Sequence, residues 1–186
     1  LASVCVIVSW SVGGVFLGLG SEIARDLLGR SDYLVTAVVV AALQASAGLA
    51  QLVWNLRAGA ASWRVGLIVG VLVMLPGLVV ASLALETRTV AAFLVAAVLT
   101  GLGMGLLFLT GTTLVARAAP DAVRGQVFAA LYLVAYLALG VPAVIAAVVA
   151  GWIGLIPAYH LLAAVTGVAS VAAMIAVMRG AGRSLG

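Results

Sequence analysis

Long apolar stretches separated by short polar segments run through the whole chain. A membrane-spanning helix needs roughly 20 consecutive apolar residues, and the stretches here reach that length. All charged residues lie between or after these stretches, which predicts six spanning helices. The expected helices are 1–20, 33–54, 65–85, 90–116, 126–151 and 158–178.

The connecting segments are short. In segment 21–32, the apolar residues Ile23, Leu27 and Leu28 predict an interfacial helical turn, and segment 152–157 is expected to be an uncharged turn. The apolar runs do not alternate with polar residues as a lipid-facing barrel requires, whereas a helix satisfies its own backbone hydrogen bonds. The expected fold is therefore an all-α polytopic membrane protein that forms a single domain over 1–186.

Composition supports lipid as the natural solvent. Hydrophobic residues make up 66% of the 186 residues and charged residues 8%, whereas a soluble domain is about half apolar and about a quarter charged. The basic residues are scattered among loops, so no nucleic-acid partner is expected. The lone Cys5 cannot form an internal disulfide, and no metal-binding or cofactor-binding pattern occurs, so neither a metal nor a cofactor is expected.

The arginines are distributed unevenly between the two sides of the predicted bundle, and such asymmetry sets orientation. One side carries Arg57, Arg64, Arg117, Arg124, Arg179 and Arg183, with Asp121 as its acid; the other carries Arg25, Arg30 and Arg88, with Glu22, Asp26, Asp32 and Glu86. The first side is predicted to be cytoplasmic. This gives a multi-pass plasma-membrane protein with a cytoplasmic C-terminus. Because the chain begins directly in an apolar run, we expect it to be part of a longer protein.

Polar amides mark one face of the second predicted helix. Gln44, Gly48, Gln51 and Asn55 follow at spacings of four, three and four residues, which places them on the same side. Amides in lipid need hydrogen-bond partners. They can bond to neighbouring helices or line a substrate path, and Gln44 is the most central candidate for such a path.

Aromatic residues form a stripe on the fifth predicted helix. Tyr132 and Tyr136 continue a four-residue repeat that ends at Gly140, and Pro142 follows, so Gly140 and Pro142 are expected to bend this helix. The stripe fits either packing or a cavity wall. Trp10 lies near the middle of the first helix, away from the membrane interface where Trp is usual. Trp10, Tyr132 and Tyr136 are therefore candidate cavity-lining residues beside the central glutamine.

Glycine-rich sequences open both successive three-helix groups. Gly14 and Gly18 lie in the first helix, and Gly101 and Gly105 lie in the fourth. Such pairs allow close helix packing, and interrupted helices at matching positions of inverted repeats point to a transporter. The expected arrangement is two inverted three-helix repeats, with Gly14 and Gly105 along the substrate pathway.

Two stretches resemble the C-terminal half of major facilitator superfamily transporters of the bacterial drug-efflux type. They are SWSVGGVFLGLGSEIARDLLG at 9–29 and PDAVRGQVFAALYLVAYLALGVPA at 120–143. The resemblance implies a twelve-helix protein whose N-terminal six-helix half lies outside this chain. It also implies that the first and fourth helices of each half line a central cavity, with the third and sixth outside.

The resemblance further implies efflux of small amphipathic substrates by alternating access, in many relatives coupled to protons. Arg57 and Arg64, with Asp121 and Arg124, would then belong to cytoplasmic gate loops. The chain departs from the family pattern after the second helix, where only Arg57 and Arg64 remain of a Gly-x-x-x-Asp-Arg-x-Gly-Arg motif. It also has no acidic residue near the centre of a predicted span.

Other classes of protein also use six apolar helices. An intramembrane serine protease needs a Gly-x-Ser-Gly sequence and a deep His, but the chain lacks that sequence and His160 lies near a helix end, so an enzyme is not expected. A channel or an accessory membrane subunit remains an alternative, although no filter-like motif or charged ring points to a channel. A concave face shared by the first and fourth helices would favour transport.

Overall fold

The computed structural model describes residues 2–28, 33–57 and 63–183. The described chain consists almost entirely of α-helix, and each of its six long helices contains a stretch long and apolar enough to cross a membrane. The helices are α1 (Ala2–Leu28), α2 (Tyr33–Arg57), α3 (Trp63–Glu86), α4 (Val90–Ala118), α5 (Arg124–Ile153) and α6 (Leu155–Arg183). The predicted all-α class with six spanning-length helices is confirmed.

Two predicted connections are instead parts of helices. The segment expected to form an interfacial helical turn is helical and continues α1 as far as Leu28, and residues 29–32 lie outside the described residues. The turn expected at 152–157 shrinks to Gly154, whose φ of 91° is readily adopted by glycine. Pro157 lies in the first turn of α6, where its missing N–H costs no helical hydrogen bond. Charge and proline mark where the apolar span ends, and the helices extend past that point.

Helices α1 and α4 form the centre of the bundle. Helix α4 packs between α2 and α3, and α1 packs against α4, α5 and α6. In the spanning stretches of α1 and α4, 56% of the residues are buried, against 22% in α2 and 17% in α5. Helices α2 and α5 therefore leave the widest apolar faces uncovered by this chain.

The third helix is expected to lie outside the cavity, and the sequence of α3 is almost uniformly apolar. One of its faces is fully buried against α4 and includes Leu67, Val71 and Met74, whereas the opposite face exposes Leu72 and Val79. A helix that is apolar on every side has no polar stripe to mark its outer face. The sequence therefore could not show how much of α3 belongs to the core.

A close crossing joins α1 to α5. A Cβ atom added at Gly14 would overlap the backbone of Leu139, and one at Gly18 would overlap the backbone of Ala143. The two helices are thus in backbone contact over one turn, which only small residues permit.

A crossing of the same form joins α4 to α2. A Cβ atom at Gly101 would overlap the backbone of Leu43, and one at Gly105 would overlap the backbone of Ala47. The helices fall into two successive triplets, α1–α3 and α4–α6. In both crossings, two glycines four residues apart on the first helix of one triplet contact a leucine and an alanine four residues apart. That leucine and alanine lie on the second helix of the other triplet.

Aromatic packing ties α6 to the central helices. The ring of Phe16 on α1 lies 5.5 Å from that of Phe93 on α4 and 6.2 Å from that of Tyr159 on α6. All three side chains are fully buried. Buried aromatic residues contribute large apolar areas, so this cluster holds α1, α4 and α6 together.

Candidate functional site

A cleft with a volume of about 230 Å³ lies between α1, α2 and α4, with Leu139 of α5 at its edge. It is lined by Ser9, Trp10, Gly13 and Leu17 of α1, by Val40, Leu43, Gln44, Ala47, Gly48 and Gln51 of α2, and by Met104, Gly105 and Phe108 of α4. Ligand sites are typically concave and mostly apolar with a few convergent polar groups. This cleft has that composition.

A second concavity, a groove of about 360 Å³ between α3 and α6, is larger than the cleft. Its walls are apolar, and its polar residues include Ser82 and His160. The Ser82 hydroxyl donates a hydrogen bond to the carbonyl of Leu78 within its own helix, and Glu86 lies 3.7 Å from Nε2 of His160. The cleft, by contrast, presents several polar side chains toward one space, so we take it as the candidate site.

One hydrogen bond fixes the two central helices beside the cleft. Ser9 Oγ donates to the backbone carbonyl of Met104 at 2.9 Å, and the serine is fully buried. A helical serine usually bonds to a carbonyl of its own helix, whereas this one crosses from α1 to α4. Sequence reasoning missed Ser9, and its only signal was a polar residue beside Trp10 in an apolar helix.

Four aromatic rings from three helices form a connected group at the cleft. The ring of Trp10 lies 5.6 Å from that of Phe108 and 5.4 Å from that of Tyr136, the latter edge to face. The ring of Phe108 lies 6.4 Å from that of Tyr132. We call these four residues the aromatic group. Trp10 and Phe108 line the cleft, and the two tyrosines extend from them onto the uncovered face of α5.

The two tyrosines of the aromatic group are largely uncovered. Tyr136 is 63% exposed and Tyr132 is 42% exposed. Neither hydroxyl makes a hydrogen bond within the part of the chain that the structure describes. A tyrosine hydroxyl in an apolar environment needs a polar partner. This face of α5 therefore presents two hydroxyl groups that have no hydrogen-bond partner among the described residues.

Two carboxamides lie along the α2 wall of the cleft. Gln44 and Gln51 are seven residues apart, which corresponds to roughly 10 Å along a helix. Neither side chain has a hydrogen-bond partner among the described residues. Gly48 lies between them, and a Cβ atom added there would have no neighbour within 4 Å. The wall thus offers one amide without a hydrogen-bond partner on each side of Gly48, where the helix backbone is uncovered.

Asn55, the fourth polar position predicted on this face, lies outside the cleft. It is exposed near the end of α2 and is not among the residues that line the cavity. The polar face therefore continues beyond the site, and the site uses only its central part.

The described lining of the cleft contains no charged side chain. Its polar groups are hydroxyl, amide and indole groups, which donate or accept hydrogen bonds without a net charge. Burying an ion in such surroundings costs far more than burying a neutral molecule whose polar groups find partners.

Five of the six predicted pathway residues lie in the cleft or in the aromatic group beside it. Trp10, Gln44 and Gly105 line the cleft, and Tyr132 and Tyr136 join it through ring contacts. Sequence reasoning missed Phe108, which links Tyr132 to Trp10 and was hidden in an apolar helix.

Gly14, the remaining pathway prediction, lies in the contact between α1 and α5 and not among the lining residues. Gly105 has both positions, because it lines the cleft and also packs on the α2 backbone. A role of any of these residues in a substrate pathway stays a prediction.

The predicted gate residues on the α2–α3 side lie at two helix ends. Arg57 is exposed in the last turn of α2. Arg64 is in the first turn of α3, and its guanidinium lies 5.2 Å from the ring centre of Trp63 in a cation–π contact. Residues 58–62, which also belong to this predicted loop, lie outside the described residues. The gating role stays a prediction.

The other predicted gate pair closes a short turn. Arg124 and Asp121 form an ion pair of 2.7 Å at the start of α5, where a 3₁₀ turn at Asp121–Val123 follows Pro120. Both side chains are at least half exposed, and an exposed pair of this kind contributes about 0–1 kcal/mol. The pair stabilises the turn from which α5 begins.

Helix α5 is continuous from Arg124 to Ile153 and includes both residues expected to bend it. Pro142 has no N–H, so the helix lacks one backbone hydrogen bond at this point. Gly140 is exposed, and a Cβ atom added there would meet nothing within 4 Å. The predicted bend stays a prediction, and the helix is weakened where it would occur.

Within the described residues, no group of three or more His, Cys, Asp or Glu side chains is placed to hold a metal ion. Comparisons of the chain with protein-family models, with curated proteins and with solved structures found no match.

Proposed function

We propose that this chain is the C-terminal six-helix half of a major facilitator superfamily transporter that exports small amphipathic molecules by alternating access. The observation that carries the proposal is the cleft shared by α1, α2 and α4. It is open, mostly apolar and supplied with free amides and aromatic rings. A closed six-helix bundle would have favoured an accessory membrane subunit instead.

The proposal includes two inverted three-helix repeats, α1–α3 and α4–α6. A two-fold axis that exchanges the repeats would convert the contact between α1 and α5 into one between α4 and α2. Both contacts occur, and each is built from a pair of glycines on the first helix of a repeat. Paired crossings of this kind support the repeat arrangement, which is common among secondary transporters.

A second six-helix half is the proposed partner. In the spanning stretch of α5, only 17% of the residues are buried within this chain, and Tyr136 is 63% exposed. A tyrosine hydroxyl facing hydrocarbon would lack hydrogen-bond partners. A wet cavity or a polar surface of another half would supply them.

The proposed location is the plasma membrane, with the arginine-rich loops and the C-terminus in the cytoplasm. This orientation rests on the excess of arginine at the ends of α2, α4 and α6. Protons are the proposed coupling ion. Since no acidic residue lies near the centre of a span in this sequence, we place the proton-carrying carboxylate in the other half.

The experiment reconstitutes the full-length gene product in lipid vesicles and follows a fluorescent lipophilic dye. With a proton gradient, we expect dye movement that stops when an ionophore collapses the gradient. Protein-free vesicles with the same gradient provide the control for passive leakage. A correctly folded protein that moves no dye under either condition would contradict the proposal.

A further inference from the structure

The cleft presents two kinds of wall to a ligand. Trp10 and Phe108 contribute aromatic rings, tilted by 56° to each other, on the α1 and α4 side, and Gln44 and Gln51 contribute carboxamides on the α2 side. A molecule that fills the space between them touches rings on one side and amides on the other. A planar aromatic ligand with one hydrogen-bonding edge matches both walls.

The amides define the polar edge of the ligand. Each glutamine carboxamide offers one carbonyl acceptor and two N–H donors. Neither Gln44 nor Gln51 uses them for bonds to described residues. A ligand carboxamide pairs with such a group through two reciprocal hydrogen bonds, whereas an ester can only accept.

The volume of the cleft sets the size of the ligand. A protein cavity of about 150 Å³ holds one benzene molecule, and the cleft measures about 230 Å³. Two fused rings fit this space. Gly48 provides room for the ring edge against α2, because no atom lies within 4 Å of the position a Cβ would take.

The described lining contains no charged side chain, and this favours a ligand without a net charge. A cation can gain from the faces of Trp10 and Phe108, but it finds no counter-charge among these residues. An ion loses its hydration on entering such a site, and that loss exceeds what a few aromatic faces return.

We infer that the cleft binds uncharged, planar aromatic compounds of about two fused rings that carry a carboxamide edge. This inference rests on the proposed function, because it names the ligand class of the same site. It narrows amphipathic molecules in general to neutral ones and excludes the organic cations and anions of equal size.

The experiment measures saturable binding of radiolabelled naphthamide to the full-length gene product in lipid nanodiscs. Unlabelled naphthamide, methyl naphthoate, naphthoate and naphthylmethylammonium then compete for the site. They share the two rings and differ chiefly in hydrogen-bond donors, hydrogen-bond acceptors and charge. Empty nanodiscs correct for partition into lipid, and equilibrium binding requires no transport.

We expect naphthamide to compete best. Methyl naphthoate should bind roughly fivefold more weakly because it lacks the donor, and both ions should bind at least tenfold more weakly because the lining has no counter-charge. Gln44→Leu should reduce naphthamide affinity roughly fivefold, whereas Asn55→Leu, on the same helix outside the cleft, should leave it unchanged.

Gly48→Leu provides a steric test. Its side chain enters the open space beside α2 and should abolish saturable naphthamide binding. Gly151→Leu is the matched control, because a Cβ atom there is equally free of neighbours and the residue lies near the end of α5, outside the cleft. Circular dichroism and gel filtration confirm that both variants fold.

The outcomes separate this inference from the proposed function. If naphthylmethylammonium or naphthoate competes as well as naphthamide, or if a folded protein does not bind naphthamide saturably, the inference is overturned. Gradient-driven dye transport would stand in either case. If naphthamide binds as expected but no dye is transported, the ligand class is supported and the transport proposal fails.

Discussion

Ser9 and Met104 are joined by a hydrogen bond of 2.9 Å that crosses from α1 to α4 beside the cleft. The two residues are 95 positions apart in the chain. The bond is buried where the two most enclosed helices meet, so it sets their relative position along one wall of the cleft. Hydrogen bonds between membrane helices are worth about 0.6 kcal/mol on average and up to about 1.7.

Replacing this hydroxyl should weaken the bundle. Ser9→Ala is expected to lower the free energy of unfolding by about 0.5–1.5 kcal/mol, measured by circular dichroism during denaturation in mixed micelles. Ser82→Ala is the matched control, because its hydroxyl bonds to Leu78 within the same helix. Equal losses for the two variants would show that the bond between helices adds nothing.

The glycine crossings should resist even one added methyl group. Gly14→Ala and Gly101→Ala place a Cβ atom on the backbones of α5 and α2, and overpacking of this kind costs about 1–3 kcal/mol. Gly140→Ala should be neutral or stabilising, by up to about 1 kcal/mol, because its Cβ meets nothing and alanine favours the helix. The same denaturation assay compares the three variants. A stable Gly14→Ala would mean that α1 and α5 are not in close contact.

The lining assignment predicts which variants affect transport. Tyr136→Ala and Gln44→Ala should each reduce the rate of dye efflux roughly fivefold, the size expected from losing about 1 kcal/mol of interaction. Ser82→Ala, which alters the groove between α3 and α6, should leave the rate near that of the unmodified protein. Similar effects at all three positions would refute the lining assignment.

The aromatic group should behave as a coupled unit. Trp10 and Tyr136 are in edge-to-face contact, and such pairs are worth about 0.5–1.5 kcal/mol beyond their buried area. A double-mutant cycle with Trp10→Ala and Tyr136→Ala should give a coupling of that size in the free energy of unfolding. The cycle of Trp10 with Tyr132, between which Phe108 lies, should give less.

The orientation can be tested with single cysteines. Cys5 is the one cysteine of this sequence, so Cys5→Ala, with any cysteine in the rest of the full-length protein also replaced, gives a background without cysteine. Thr87→Cys, in the turn between α3 and α4, should react with a membrane-impermeant maleimide in intact cells. Asp121→Cys, before α5, should react only after the membrane is opened. The reverse pattern would invert the topology proposed from the arginines.

The spans could be predicted from the sequence because charged residues lie toward the ends of the helices and not near their centres. The packing partners could not, since α3 is apolar on every side and carries no stripe that shows which face turns inward. The Ser9–Met104 bond illustrates the same limit, because nothing local to either residue indicates its partner. The glycine pairs predicted close contacts, but only the structure shows that Gly14 meets α5 and Gly105 meets α2.

The cleft was only partly accessible to sequence reasoning. Trp10 and Gln44 stood out because each is unusual in the middle of an apolar span. Phe108 did not, since a phenylalanine in an apolar helix has no distinguishing signal. Neither glutamine amide has a hydrogen-bond partner among the described residues. Whether such a partner lies nearby depends on how the helices pack, which the sequence does not show.

Access of solvent to Gln44 tests alternating access most directly. Gln44→Cys in the Cys5→Ala background is reconstituted in full-length protein, and an impermeant thiol reagent is added to one side of the membrane at a time. We predict labelling from either side, with a proton gradient shifting the ratio of the two rates and dye slowing both. Labelling from one side only, unchanged by gradient and dye, would contradict alternating access through the cleft.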